Sequence, residues 1–202
     1  MLPGPLRAAG IVLLAACAAL ASVLGARFAG GLRDWLDSAF DPRIQTVASR
    51  APVLVRWLAD LGTLAPVTLM TMMLVLACAA TRRWSGAILT AVAVPAAVGL
   101  TEYVLKPYVG QAIEQSFPSG HATSMFALAT ICAVLLVDRP RRVPGRVRLL
   151  LVVTALLLAA GVAAAMIATG AHDFTDAAAG AAVGTGVVLA CALAIDLVAS
   201  RR

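Results

Sequence analysis

Basic residues other than arginine are almost missing from this chain. Lys106 is the single lysine, and His121 and His172 are the only two histidines. Charged residues of every kind make up 13% of the 202 residues, against about 25% in an ordinary soluble domain. Hydrophobic residues reach 61%, and the mean hydropathy is +0.94. So little charge excludes a water-solvated globule, and lipid must be the solvent for most of the surface. Cys17, Cys78, Cys132 and Cys191 lie singly in apolar runs. That excludes a disulfide framework and zinc-type spacing, and it leaves four small packing residues with free thiols. Aromatics are scarce at 5%, and no basic run is interleaved with them. The net charge of +6 is therefore not a nucleic-acid groove. The fifteen arginines sit between apolar spans and read as membrane orientation.

Six stretches are long and apolar enough to cross a bilayer: about 9–29, 61–81, 85–105, 118–137, 148–169 and 177–198. They predict an all-α, six-span transmembrane helical bundle, one domain over 1–202 with a motif core at about 100–180. The short alternating segments of a barrel are not present. Arg7 before the apolar stretch Gly10–Gly25 also fits a signal peptide, but an uncleaved first helix balances the later spans. Arg7, Arg82, Arg83, Arg139, Arg141, Arg142, Arg146, Arg148, Arg201 and Arg202 fall on one side, ten in all. Arg27, Arg33, Arg43, Arg50, Arg56 and Lys106 fall on the other, six in all. The positive-inside rule then places both termini in the cytoplasm. Asp138–Arg148 reads as a topology anchor touching anionic membrane lipids. In the long connection Gly31–Trp57, Leu32, Trp35, Leu36 and Phe40 recur at helical spacing against Arg33, Asp34 and Asp37. An interfacial amphipathic helix is expected there, as a plain anchor or as a gate for substrate.

The scarce ionisable residues converge. Lys106 and His121 flank the loop before the fourth span, and His172 lies in the loop before the sixth. Two spans separate these loops, so both open on the same face, and ionisable groups at such a place are functional candidates. In Ser116-Phe-Pro-Ser-Gly-His121, Pro118 suits a first helical turn, and Ser116 and Ser119 are both placed to cap it. Gly120 admits close approach to the backbone, and free amides at a helix start attract phosphate. The plain alternative is an ordinary cap. In His172-Asp-Phe-Thr-Asp176, His172 and Asp176 are four apart and share a helix face, so Asp176 can orient one imidazole nitrogen and leave the other for substrate. The plain alternative is an acidic N-cap, with Thr175 or Asp173 capping the sixth span. Glu102, four before Lys106, is either that lysine's ion-pair partner or a neutral acid at the interface. Gly180 and Gly184 permit a close helix contact, either within the chain or as the seam of a homodimer.

At these residues the sequence resembles the type 2 phosphatidic acid phosphatase superfamily, which also holds the vanadium haloperoxidases. The family pattern is Lys-x6-Arg-Pro, then Pro-Ser-Gly-His, then Ser-Arg-x5-His-x3-Asp. The second block is complete at Pro118, Ser119, Gly120 and His121; the third keeps His172 and Asp176; the first keeps Lys106. The resemblance covers about 60–198 and implies a lipid-phosphate phosphatase. His172 would be the nucleophile, Asp176 its orienting group and His121 the acid for the leaving oxygen. Lys106, Ser119 and Gly120, with Pro118 opening the turn, would hold the phosphate, and neither a metal nor any other cofactor is called for. Ile113 and Glu114 replace the first motif's Arg-Pro, and Ala165 and Met166 replace Ser-Arg. Gln111 is the nearest polar residue to the first gap. Losing two arginine clamps weakens phosphate holding. A non-catalytic lipid-phosphate binder or scaffold, and a phosphotransferase, therefore stand as alternatives; a metal site from His121, His172 and Asp176 is a further reading on ligand type. A site on the outer face of a bacterial inner membrane favours recycling of an envelope carrier lipid.

Overall fold

The computed structural model describes residues 4–29, 35–109, 117–137 and 143–200. All regular structure among them is helical: α1 (Gly4–Ala29), α2 (Trp35–Ala48), α3 (Pro52–Leu61), α4 (Leu64–Ala80) and α5 (Trp84–Gly99), then a π-helical turn (Leu100–Leu105) leading into α6 (Lys106–Val109), then α7 (Gly120–Val137), α8 (Gly145–Ala168) and α9 (Phe174–Ser200). Leu32, Arg33, Asp34, Gln111, Ile113, Glu114, Ser116 and the basic run 138–142 lie outside the described residues.

Among the described residues, five helices are long and apolar enough to cross a membrane: α1, the continuous Trp84–Val109 rod, α7, α8 and α9. The span expected at about 61–81 is α4, which passes the test only together with α3, the two being bent by 59°. With 17 residues, α4 alone rises about 25 Å, short of a hydrocarbon core of about 30 Å. Gly62 lies at the break, in tight contact with its neighbours. A β-carbon on Gly62 would lie 2.6 Å from Val162 Cγ1 and 2.8 Å from His121 Cδ2.

Burial runs opposite to that of a soluble protein. Leu69, Met73 and Leu76 on α4, and Leu149, Leu150 and Leu157 on α8, face outward, while Thr90, Thr101, Thr123 and Ser124 are buried. Apolar side chains meet lipid, and hydroxyls satisfy one another or a carbonyl one turn back. Helix α9 is the hub and packs on α7, α1 and α5. Gly180 and Gly184 lie directly on the α7 backbone: a β-carbon on either would strike a carbonyl oxygen, of Ser119 or of Thr123. This glycine pair serves packing within the chain. At the end of the bundle away from the histidines, Arg7 Nε of α1 meets Asp196 Oδ2 of α9 at 3.8 Å.

Helix α2 departs from the amphipathic expectation. Trp35 is exposed, but Asp37 of the expected polar face is buried, as is Asp41 one turn on, and Phe40 stacks on Phe174 with ring centroids 4.6 Å apart. Acids at this spacing read as a solvated stripe until their acceptors are seen to face backbone amides on a distant helix.

Candidate active site

The starts of α7 and α9 are stitched together. Ser119 N–H donates to the Asp176 carbonyl at 3.1 Å. Ser119 is fully buried, and its Oγ accepts from Ala122 N–H at 3.4 Å, so it caps α7. Thr123 Oγ1 donates to the Ser119 carbonyl at 2.9 Å and lies 3.1 Å from Thr101 Oγ1, which ties the π-helical turn to α7. That turn delivers Glu102 and Lys106 to Gly120; π turns recur at functional sites. Lys106 Nζ donates to both Glu102 oxygens, at 2.8 and 2.9 Å. A β-carbon on Gly120 would collide with Glu102 Oε1 and lie 3.9 Å from Lys106 Nζ. The glycine is thus the floor under this ion pair. Pro118 follows a cis Phe117–Pro118 peptide bond, and Phe117 stacks on Phe28 at 4.9 Å.

His172 is aimed by the end of α8. Gly170 takes a left-handed φ of 72°, which glycine adopts without a β-carbon penalty. The chain then curls back, so that Ala171 and His172 both donate their N–H to the Met166 carbonyl, at 3.1 and 3.3 Å. Met166 and Ala165, at the family's Ser-Arg positions, are buried and bring no charge. His172 Nδ1 lies 3.5 Å from Asp176 Oδ2, within ion-pair range but outside hydrogen-bond geometry. Catalytic contacts of this kind often tighten only when substrate binds. His172 Nδ1 and Asp176 Oδ1 are buried with no hydrogen-bond partner among the described residues. The His121 ring, backed by Gly62, sits 6.5 Å from the His172 ring, centroid to centroid. No three His, Cys, Asp or Glu side chains gather as metal ligands among the described residues.

The cap of α9 is not the local one expected. Asp173 N–H donates to Asp176 Oδ2 at 3.2 Å. The next two amides are taken by α2: Phe174 N–H donates to Asp41 Oδ1 at 3.0 Å, and Thr175 N–H to Asp37 Oδ1 at 2.8 Å. Thr175 Oγ1 adds a bond to Asp37 Oδ2 at 3.1 Å. Sequence reading missed both carboxylates; their four-residue spacing was the available signal, but it resembles any solvated helix face. Burial pushes both carboxyls up, Asp41 to about 6, against the lowering effect of the α9 N–H donors. Asp173 adds repulsion to both, and Asp176 to Asp37. An apolar cleft of about 290 Å³ adjoins the α7 start, lined among others by Gly25, Leu105, Tyr108, Phe117, Pro118 and Val183.

The chain thus brings Lys106, Gly120, His121, His172 and Asp176 to one end of a multi-pass bundle. The family model described as the PAP2 superfamily matches residues 100–198, which contain all of them. No curated protein and no solved structure gives a match. Through residues 100–198 the chain belongs to the PAP2 superfamily, a family of phosphatases acting on phosphate esters.

Proposed function

We propose that the protein hydrolyses the phosphomonoester or diphosphate of a lipid (a polyprenyl phosphate, phosphatidic acid or a glycolipid phosphate) at the outer face of a bacterial inner membrane, with both termini in the cytoplasm. One observation carries this reading. The only two histidines, far apart in sequence, meet with ring centroids 6.5 Å apart, and one of them faces a buried carboxylate. That gap suits a phosphoryl group between a nucleophile and an acid. The apolar cleft beside Leu105 and Pro118 supports a lipid as the leaving alcohol, and the arginine count supports the outer face.

The His172 nitrogen remote from Asp176 attacks phosphorus, and the bond from phosphorus to the lipid oxygen breaks. His121 gives that oxygen its proton. Asp176 steadies the charge that His172 gains. Water, deprotonated by His121, then attacks the phosphohistidine and releases phosphate. Lys106 and the Gly120 amide hold the phosphate oxygens, with the buried Ser119 capping the turn beneath them, and these fixed donors offset the developing charge without a metal. A binder without turnover is the second reading, favoured by the engagement of Lys106 with Glu102 and the uncharged Met166.

Phosphate release from lipid and aryl phosphates, with chelator present, decides between them. The wild type should hydrolyse both. His172→Ala should be inactive on both. His121→Ala should lose lipid turnover yet keep part of the aryl phosphate turnover, because an acidic leaving group needs little protonation. Wild-type turnover by His172→Ala overturns the mechanism, and a wild type inert on every substrate leaves the binder.

A further inference from the structure

The first amides of any helix lack an acceptor within it, and a side chain at the cap usually supplies one. At α9 the acceptors come from 133 and 138 residues away. Local candidates exist, Asp173 and Thr175, yet Thr175 itself donates to Asp37. We propose that Asp37 and Asp41 are positioning residues for the reaction: by accepting the leading amides of α9 from α2, they hold the His172–Asp176 pair in its reactive register. The inference rests on the hydrolytic role proposed for His172.

The argument is one of competition. Asp176 sits in the same first turn as the Phe174 and Thr175 amides, and charged acceptors are drawn to a helix start by its dipole. With those amides occupied by Asp37 and Asp41, the only backbone donor to the Asp176 carboxylate among the described residues is Asp173 N–H, and the carboxylate stays beside His172 Nδ1. Free the two amides, and Asp173 and Asp176 become the local anions that compete for them, which draws Asp176 off the imidazole. Asp37 grips Thr175 with both oxygens, and the stack of Phe40 on Phe174 fixes the same turn from a second direction. An anchor helix has no use for two inward, buried acids. Burial raises both carboxyls, so near neutral pH their charged forms reduce stability. Acids that cost stability but hold the catalytic turn point to function.

The test is steady-state turnover of an aryl phosphate by the full chain in detergent. Asp37→Ala should lower kcat about 100-fold, the scale of a misplaced catalytic group, with KM changed less than about twofold, since the phosphate is held at α7. Asp37→Asn keeps an oxygen for Thr175 N–H and should restore most of kcat. Hydrogen exchange should speed up at Phe174 and Thr175 in Asp37→Ala but not in Asp37→Asn. If Asp37→Ala does not fold, Asp37→Glu decides: it keeps the charge but moves the oxygens by one methylene, so kcat should fall. Wild-type kcat in Asp37→Ala or in Asp37→Glu overturns the proposal, as does an Asp37→Asn no better than Asp37→Ala. A wild type that releases no phosphate from any substrate removes the hydrolase reading itself, and this inference with it.

Discussion

Helices α7 and α9 both begin at the site, and their beginnings are used in opposite ways. The start of α7 is capped by its own Ser119, and its glycine floor lies under the Lys106 ammonium. The start of α9 is filled with carboxylates: Asp176 on Asp173, Asp41 on Phe174 and Asp37 on Thr175. A helix start attracts anions wherever it occurs. Filling one with the chain's own acids keeps phosphate from settling there and directs it to the other. In the proposed mechanism the same backbone feature receives the substrate at α7 and anchors the nucleophile at α9.

The contrast is broken most strongly by removing the cation at α7. Lys106→Ala should lower kcat/KM about 100-fold or more, the usual loss for one charged transition-state donor, while melting in detergent stays near wild type. Normal kcat/KM would show that phosphate is held elsewhere. Lys106→Arg should recover only part of the loss, since the guanidinium fork is shaped differently.

A smaller change should sharpen the contrast. Glu102 engages Lys106 with both oxygens directly over Gly120, where a phosphate is expected to lie. An arriving phosphate must displace it. Glu102→Gln should therefore lower KM, or the inhibition constant of inorganic phosphate, by about fivefold, the worth of a partly exposed charged contact near 1 kcal/mol. A higher KM in Glu102→Gln would mean that the glutamate orients the lysine for substrate instead.

The smallest effect concerns acid. Asp41 in the folded chain titrates near 6 rather than at the ordinary 3.8. Between those values the folded state holds a proton that the unfolded state lacks, so this group's stabilisation is full below 3.8 and is lost as pH rises through about 6. Asp37 is shifted in the same direction. The melting midpoint of wild type relative to Asp41→Asn should rise as pH falls from neutral toward 4. A difference independent of pH would show that Asp41 titrates as an ordinary exposed acid.

Spans were legible because hydropathy accumulates over twenty residues and tolerates local error. The α7 span expected at 118–137 is a helix from Gly120 to Val137, and the 85–105 span runs on to Val109 through the π-helical turn. Gly62 was not legible as a break: it sits in an apolar stretch, and its close contact with His121 and Val162, where any side chain would force a neighbour to shift, is visible only in three dimensions. The convergence of Lys106, His121 and His172 followed from rarity and span parity alone. The buried role of Asp37 and Asp41 did not, because a carboxylate's acceptor geometry has no local sequence mark when its donors are 133 or more residues away. Ser119 was expected to face phosphate, and its burial as the α7 cap follows from packing between α7 and α9 that no single-helix pattern encodes.

Gly180 and Gly184 have a mechanical consequence. By laying α9 on the backbone of α7, they leave no side-chain layer between the two rods to slip or repack. The two histidines therefore extend from the joined starts of helices whose separation is set by main-chain contact. For the lipid substrate proposed above, admission then falls to elements without such a lock, namely α2 and the Glu102–Lys106 segment.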